Sequence, residues 1–552
     1  MTEKLKKYWN WLKYSGLWLP PPLTMLIGLI TYYCYCPINV IIGSMVCALL
    51  LGMAISLWIW SQNSIAKRNG LQEFPMIPYA TDQNPYYQIS YRAKALYKKP
   101  DKRLLYKDPQ GIILGKADGK YMEIQPGITP GATHTLVLGT SGSGKTSSVL
   151  LSALLANSIN KDKYAFLLVD VKGELLQKGF TPNDKVAVFN PRRRDLWGFD
   201  FLYDVNEKST ESQVIETLRR VIYSLIPLRH TGDEFWPVAA RTVLLGLFLF
   251  AWEYEQCYTI PQLVDFALSK NLNTLISDII AEAEDNSVVT RLLSPYGGDC
   301  VAEETLGSIS SNIGNALQLF SSDSNLRYLT KEADRKITPE LLEEGISIDL
   351  LIEDRDLETY APILSLAVAT CITYLSSPSR EKAVTQDPQH SQVVFVLDEL
   401  GRIPEIQGLP SILQIGRSRG CTVLGCLQSW SSAEEHYGEK VAADMLTNFS
   451  YRVFLQAQPE SKDVEMAVKA FGKFNEKKKS VSTGKNKSYS YQFEEKDILQ
   501  ASDLLTLPDK NKVVVLSPYG AYMLSRCQYF RDTKLKKIAD QIKNDRENHE
   551  EK

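Results

Sequence analysis

At 552 residues, with 44% hydrophobic and 23% charged residues, the chain is long enough for more than one domain and too apolar for a disordered protein. Its formal net charge of -2 gives no global basic field, so any attraction to nucleic acid has to come from local patches. Nine cysteines at unrelated spacings make neither a disulfide framework nor a zinc pattern, which favours a reducing compartment; Cys34 and Cys36 read as packed or lipid-facing thiols.

From Tyr14 to Ala66 there is no Asp, Glu, Lys or Arg, a run of 53 residues. Two spans of about 20 residues and a tight turn would fill it. The spans are expected near Leu17–Cys36 and Ile38–Trp60, with Pro37 and Asn39 at the turn and Trp58 and Trp60 suited to an interfacial aromatic belt. Pro20, Pro21 and Pro22 weaken the first span, because proline breaks a helix interior. Lys4, Lys6, Lys7 and Lys13 precede the hairpin and Lys67 and Arg68 follow it, which puts both flanks, and hence both termini, in the cytoplasm. A cleaved signal peptide fits less well, since no small-residue cleavage site follows and a second span does.

The next element is a short strand ending at Gly139, followed by Thr140, Ser141, Gly142, Ser143, Gly144, Lys145, Thr146 and Ser147 and then a helical run to Asn157. This is G-x-x-x-x-G-K-T between strand and helix. Glycines at 139, 142 and 144 let backbone N–H groups converge on phosphates, Lys145 neutralises the β and γ oxygens of ATP, and the Thr146 hydroxyl ligates Mg²⁺. Further strands are expected at Tyr164–Asp170, Lys185–Asn190, Cys421–Gln428 and Tyr451–Gln456, each short and rich in Val, Leu or Phe, with helical stretches between most of them, which predicts one parallel sheet.

Val393-Val-Phe-Val-Leu-Asp-Glu399 is an apolar run of buried-strand type ending in two carboxylates. Beside an intact phosphate loop, Asp398 is expected to hold the Mg²⁺ water shell and Glu399 to polarise the attacking water. Gln428 ends the following strand, where a γ-phosphate sensor belongs, and Arg417 precedes that strand within reach of a phosphate, its own subunit's or a neighbour's.

In this order the segments resemble the type IV coupling proteins of the TraD/TraG/TrwB group. The likeness rests on the hairpin, the His134–Thr146 loop, Asp170-Val-Lys-Gly-Glu174, Phe189-Asn-Pro191, Phe235-Trp236 with Ala240-Arg241, Leu397–Pro404, Gly416-Arg-Ser-Arg-Gly420 and Leu427-Gln-Ser429. It implies that Lys145, Thr146, Asp398, Glu399, Arg417 and Gln428 form the nucleotide site. It also implies an α/β fold: a RecA-like P-loop NTPase domain (67–206 and 337–530) interrupted by an all-α domain at 207–336, preceded by a two-helix transmembrane hairpin at 1–66 and followed by a charged tail at 531–552. Long helical stretches such as Ser212–Leu228 and Phe235–Glu255 fit the insert as amphipathic helices, with Trp236 and Arg241 packing it against the motor. The implied assembly is a homo-hexamer around a channel in the lipid bilayer.

The implied activity is an ATPase that delivers relaxase-bound DNA, single- or double-stranded, or protein effectors brought by adaptors, to the subunits of a type IV secretion channel. A nucleotide-switched docking receptor and an FtsK- or HerA-like translocase outside secretion are the alternatives. Three departures stand out: almost no loop between the two spans, no arginine in Gly127–Leu138 where His134 stands instead, and no long acidic extension at the end. Two stretches have the composition of DNA-contacting loops, Lys477-Lys-Lys479 with Lys485 and Lys487, and Arg192-Arg-Arg194; solvated surface has the same composition.

Overall fold

Cys421–Leu427 is buried at every position, and so are Val393–Leu397, Thr135–Gly139 and Ala165–Asp170. Strands covered on both faces have no reason to alternate polar and apolar residues, and these four form the parallel centre of one sheet. The computed structural model describes residues 20–34, 37–68, 92–159, 164–228, 234–387, 392–483 and 487–550. Two units divide the chain, one made of residues up to Lys98 together with Val468–Gln500, the other of Lys99–Ala467 and Ala501–Lys552.

The larger unit holds a 12-stranded sheet. In chain order its strands are β1 (Leu105–Tyr106), β2 (Ile112–Ala117), β3 (Lys120–Ile124), β4 (Thr135–Gly139), β5 (Ala165–Asp170), β6 (Val186–Phe189), β7 (Ser347–Leu351), β8 (Val393–Leu397), β9 (Cys421–Leu427), β10 (Tyr451–Gln456), β11 (Lys512–Ser517) and β12 (Gly520–Ser525). Across the sheet they run β1-β3-β2-β12-β11-β10-β4-β9-β8-β5-β7-β6. From β10 to β6 every pairing is parallel, whereas β11, β12, β2, β3 and β1 extend the sheet antiparallel. Helices cover the parallel part, and their apolar faces close the core around Val137, Leu150, Leu168, Val396 and Leu424.

Between β6 and β7 the chain leaves the sheet through Gly198–Phe199 and returns through Lys336–Ile337, two short segments that pair in parallel. Every described helix or strand from Glu211 to Lys331 is helical. At the centre of this excursion, Phe235–Glu253 is apolar on nearly all faces, with 72% of its residues buried inside the protein. It is therefore a core helix rather than the amphipathic helix read from its pattern. Arg241 donates from Nε to the Ile226 carbonyl at 2.7 Å and its guanidinium lies 4.3 Å from the Tyr223 ring, so it ties two helices of the excursion together, and Glu405, from the segment after β8, is the first of the charges acting on it.

In the smaller unit the helices Pro20–Tyr33 and Ile38–Arg68 pack together, and a Cβ at Gly28 would come within 2.9 Å of the Met45 sulfur. Met25, Leu50 and Leu57 are exposed on them. Ile38–Ile55, 18 residues, is long and apolar enough to cross a membrane. The three prolines do not interrupt the first helix: they form its first turn, where a missing N–H removes no helical bond. The second helix, 31 residues, is about 46 Å long, more than a bilayer core requires. Lys4, Lys6, Lys7 and Lys13 lie outside the described residues. The same unit contains an antiparallel ribbon, Lys473–Thr483 paired with Lys487–Asp497, which carries the 477–479 lysine positions; Lys485 is outside the described residues.

Candidate nucleotide site

β4 delivers the chain to the carboxyl edge of the sheet, where residues 139–146 turn back into a short π-helical segment, Thr146–Leu150, that continues as the helix Leu151–Ile159. Gly142 and Gly144 have φ of 75° and 86°, values that admit glycine without strain. Gly139 is required for a different reason: a Cβ there would stand 2.5 Å from the Ser143 hydroxyl. Lys145, 6% exposed, donates from Nζ to the Gly139 carbonyl at 2.8 Å, so its charge is held across the mouth of its own loop. Thr140 Oγ1 donates to Gln456 Oε1 at 3.0 Å, which fastens the loop to the end of β10. The hydroxyls of Ser143 and Ser148 are buried without partners. Ser141 and Gly142 are exposed at the tip, and Thr146 and Ser147 are half-buried.

Register brings the other groups to the same edge. Leu427 stands opposite Leu138, and Leu397 opposite Gly425, so β8, β9 and β4 end nearly flush and Asp398 lies two strand spacings, about 10 Å, from the β4 line. Asp398 is 8% exposed. Burial, first, and then Glu399 push its carboxyl up to about 7, while Lys145 and Lys172 pull it down. Glu399 has a φ of 59°, a left-handed conformation unusual for a glutamate. Gln428 follows β9 at this edge and is exposed.

Arg417 is elsewhere. It precedes β9, and with Thr133, Gln392, Cys421 and Thr422 it lines a cavity of about 420 Å³ at the amino edge of the sheet. A strand of seven residues, about 23 Å, separates that edge from the phosphate loop. Arg417 therefore does not reach its own subunit's nucleotide site, which corrects the open reading that it serves either its own or a neighbour's. His134 is also at the amino edge: it is 1% exposed, accepts the Val423 N–H at 3.0 Å through Nδ1, and burial holds its pKa down to about 4. It is a packed residue just before β4.

Arg192, Arg193 and Arg194 are each engaged within the chain. Arg192 pairs with Asp356 at 2.8 Å, Arg193 pairs with Asp195, and Arg194 donates to Asn325 at 2.7 Å. Arg194 alone of the three side chains reaches the helical excursion, Arg192 and Arg193 pairing with carboxylates outside it, and the three do not form a free basic loop.

Three residues of the site had no role assigned from the pattern. Asp170, at the end of β5, accepts the Leu176 N–H at 3.0 Å and is among the charges acting on Asp398. Gln456 holds Thr140. Arg526 donates to the Ser143 carbonyl at 2.7 Å from behind the loop. Asp170 opens a segment already singled out, Asp-Val-Lys-Gly-Glu; Gln456 and Arg526 carry no local signal, because their role comes from strands far apart in sequence.

The donor set fits a nucleoside triphosphate with magnesium: one lysine, glycine-rich backbone and hydroxyls for phosphate, one hydroxyl and one carboxylate for the cation. Among the described residues no group of three or more His, Cys, Asp or Glu makes a self-sufficient metal site. Such a cation would take its remaining ligands from phosphate and water, as magnesium does.

Residues 91–551 match the family described as Type IV secretory system Conjugative DNA transfer. The chain belongs to this conjugative DNA transfer family. It is 25% identical over 454 residues to the Coupling protein TraD of Escherichia coli (strain K12), an alignment covering 77% of this chain and 57% of TraD. The chain thus spans little more than half the length of that relative. Among solved structures, the unbound monoclinic form of the bacterial conjugative coupling protein TrwBdeltaN70 superposes with a TM-score of 0.56 at 18% identity, covering 76% of this chain and 88% of TrwB. TrwB in complex with a non-hydrolysable ATP analogue gives a TM-score of 0.56 at 18% identity, covering 78% and 92%. At that identity the likeness establishes a shared mixed α/β, RecA-like fold.

Proposed function

We propose that this member of the family is an inner-membrane ATPase that couples ATP hydrolysis to delivery of DNA, with or without bound protein, into a type IV secretion channel. The observation that carries the reading is the strand register that brings Lys145, after β4, and Asp398, at the end of β8, to the same carboxyl edge of the parallel sheet, with Glu399 next in the chain. In this reading Lys145 and the amides of 142–146 bind the β and γ phosphates, and Thr146 and Asp398 hold Mg²⁺. Glu399 orients and deprotonates the attacking water, while Gln428 senses the γ-phosphate from the neighbouring strand. Magnesium supplies charge neutralisation to the leaving phosphate when bound.

Arg417 completes the site of an adjacent copy. Its place at the amino edge suits a ring in which one subunit's amino edge faces the next subunit's phosphate loop, and a homo-hexamer would close that ring. The Pro20–Tyr33 and Ile38–Arg68 helices anchor the motor in the lipid bilayer with both flanks cytoplasmic. The larger unit outside 207–336 is the motor and 207–336 the all-α insert, and the charged stretch expected to be a tail belongs to the motor as the helix Thr533–Glu550, whose Leu535 and Ile542 are buried beside Ile113 and Leu155. Relaxase, channel subunits and adaptor-borne effectors are the partners this reading requires.

The test is ATP turnover by the full chain in lipid nanodiscs, with and without single-stranded DNA, over a range of protein concentrations. Turnover per subunit is expected to rise with both, and Lys145→Ala to lower it at least about 100-fold. Protein that binds no nucleotide, or a Lys145→Ala variant that keeps full turnover, overturns the reading. Deleting the gene in its host and scoring plasmid transfer and effector export separately identifies the cargo.

A further inference from the structure

Arg526 directly follows β12, and its side chain is 8% exposed behind the phosphate loop. One terminal nitrogen donates to the Ser143 carbonyl at 2.7 Å and the other to the Leu455 carbonyl at 2.9 Å, while Nε has no partner. Both acceptors are neutral. Among the described residues the charged side chain that acts on it is another cation, Arg531, which adds to burial in disfavouring the guanidinium charge. A buried cation with only carbonyl partners is costly to hold, so its position demands a reason.

The peptide geometry supplies one. In a trans peptide the C=O and the following N–H point in opposite directions. When Arg526 holds the Ser143 carbonyl on the sheet side of the loop, the N–H of Gly144 is directed to the other side. A Cβ at Gly144 would stand 3.4 Å from the Arg526 terminal nitrogen, so the guanidinium is pressed against this peptide unit. The flanking chain is also fixed: Tyr529 N–H donates to the Ser147 carbonyl at 3.1 Å, and Ser152 Oγ donates to the Cys527 carbonyl at 3.2 Å. The segment after β12 thus grips the loop and the start of its helix at three points.

We infer that Arg526 is a positioning residue for phosphate binding, orienting the Ser143–Gly144 peptide so that its amide faces the anion and adding, through the loop, a positive charge that only a polyphosphate compensates. This rests on the proposed nucleotide site. The ligand class follows from the chemistry: a nucleoside di- or triphosphate gains from the charge, a nucleoside does not.

The experiment uses the full chain in detergent micelles, fluorescent ADP as the probe, and three proteins, the wild type, Arg526→Gln and Arg526→Lys. Arg526→Gln is expected to weaken binding at least about tenfold, since a hydrogen bond to a charged group is at stake. Arg526→Lys, which keeps the charge but lacks the two-pronged fork, is expected to fall between. The salt dependence of binding should be shallower in Arg526→Gln and restored in Arg526→Lys, a change that a purely structural defect would not produce. Equal affinity in all three proteins overturns the inference while leaving the nucleotide site standing. Equal losses in Gln and Lys with an unaltered salt slope, or losses matching the unfolded fraction measured by circular dichroism, reduce Arg526 to a structural role and overturn it as well. A wild type that binds no probe overturns the site itself.

Discussion

Arg417 and Lys145 occupy opposite edges of one parallel sheet, the first just before β9 and the second just after β4. No movement of side chains within one subunit brings them to the same phosphate. Arg417→Ala and Lys145→Ala are each expected to lower ATP turnover at least about 100-fold. Mixed in equal amounts before assembly, the two variants should regain measurable turnover, because some junctions then pair an intact loop with an intact arginine. Mixtures as inactive as their components would remove Arg417 from the chemistry.

Asp398 gives a pH test. Burial and the adjacent Glu399 raise its carboxyl to about 7, above its ordinary range near 4, so the folded protein holds this proton more tightly than the unfolded chain. That contribution to stability is complete below about pH 4 and is lost as pH rises through about 7. Asp398→Asn, which mimics the protonated form, should therefore raise the melting temperature of nucleotide-free protein by several degrees at pH 8 and leave it nearly unchanged at pH 4.5. A gain of equal size at both pH values would show that the charge is not what is relieved.

Asp532 behaves in the opposite sense. It is 6% exposed, and its carboxylate receives Lys116 Nζ at 2.7 Å, the Tyr121 hydroxyl at 2.9 Å and the N–H groups of Lys534 and Leu535 at 3.0 and 3.1 Å. Burial works against the charge, but the Lys116 bond, the Leu535 N–H and the Tyr121 hydroxyl outweigh it, and the pKa lies below the usual value. The stabilisation is present above about pH 4 and lost as pH falls through the lowered folded pKa. Asp532→Asn should cost about 2–3 kcal/mol at pH 7 by chemical denaturation, with the difference shrinking in acid.

At Gly198 there is no room for a side chain. A Cβ would collide with the Leu329 carbonyl and stand 2.6 Å from the Ala333 Cβ, where the chain leaves the sheet for the helical excursion. Gly198→Ala should destabilise the protein by about 2–4 kcal/mol, whereas Gly119→Ala, with open space but a φ of 76°, should cost about 1 kcal/mol. Comparable melting curves for the two would show that the crowding is relieved by backbone movement.

The parallel core was legible because its strands are continuous apolar runs, and the phosphate loop because its spacing follows directly from the number of amides a phosphate needs. Asp398 was legible for a similar reason, as a carboxylate ending such a run. The order of the strands was not. Gln456 and Arg526 meet the loop only because β10 lies beside β4 and the β11–β12 hairpin folds onto β10, and nothing local to either residue records that neighbour. Phe235–Glu253 was misread in character because apolar periodicity does not reveal whether the remaining face also finds a partner. Pro20–Pro22 were misread because proline forbids the middle of a helix but suits its start.

Glu399 holds a left-handed backbone, which costs a residue with a Cβ about 1 kcal/mol. A lineage selected for durability alone would drift to glycine or asparagine at this position, gaining robustness and losing the carboxylate. With glutamate there, and with the role proposed for its carboxylate, position 399 is a place where thermal resilience and catalytic competence pull in opposite directions.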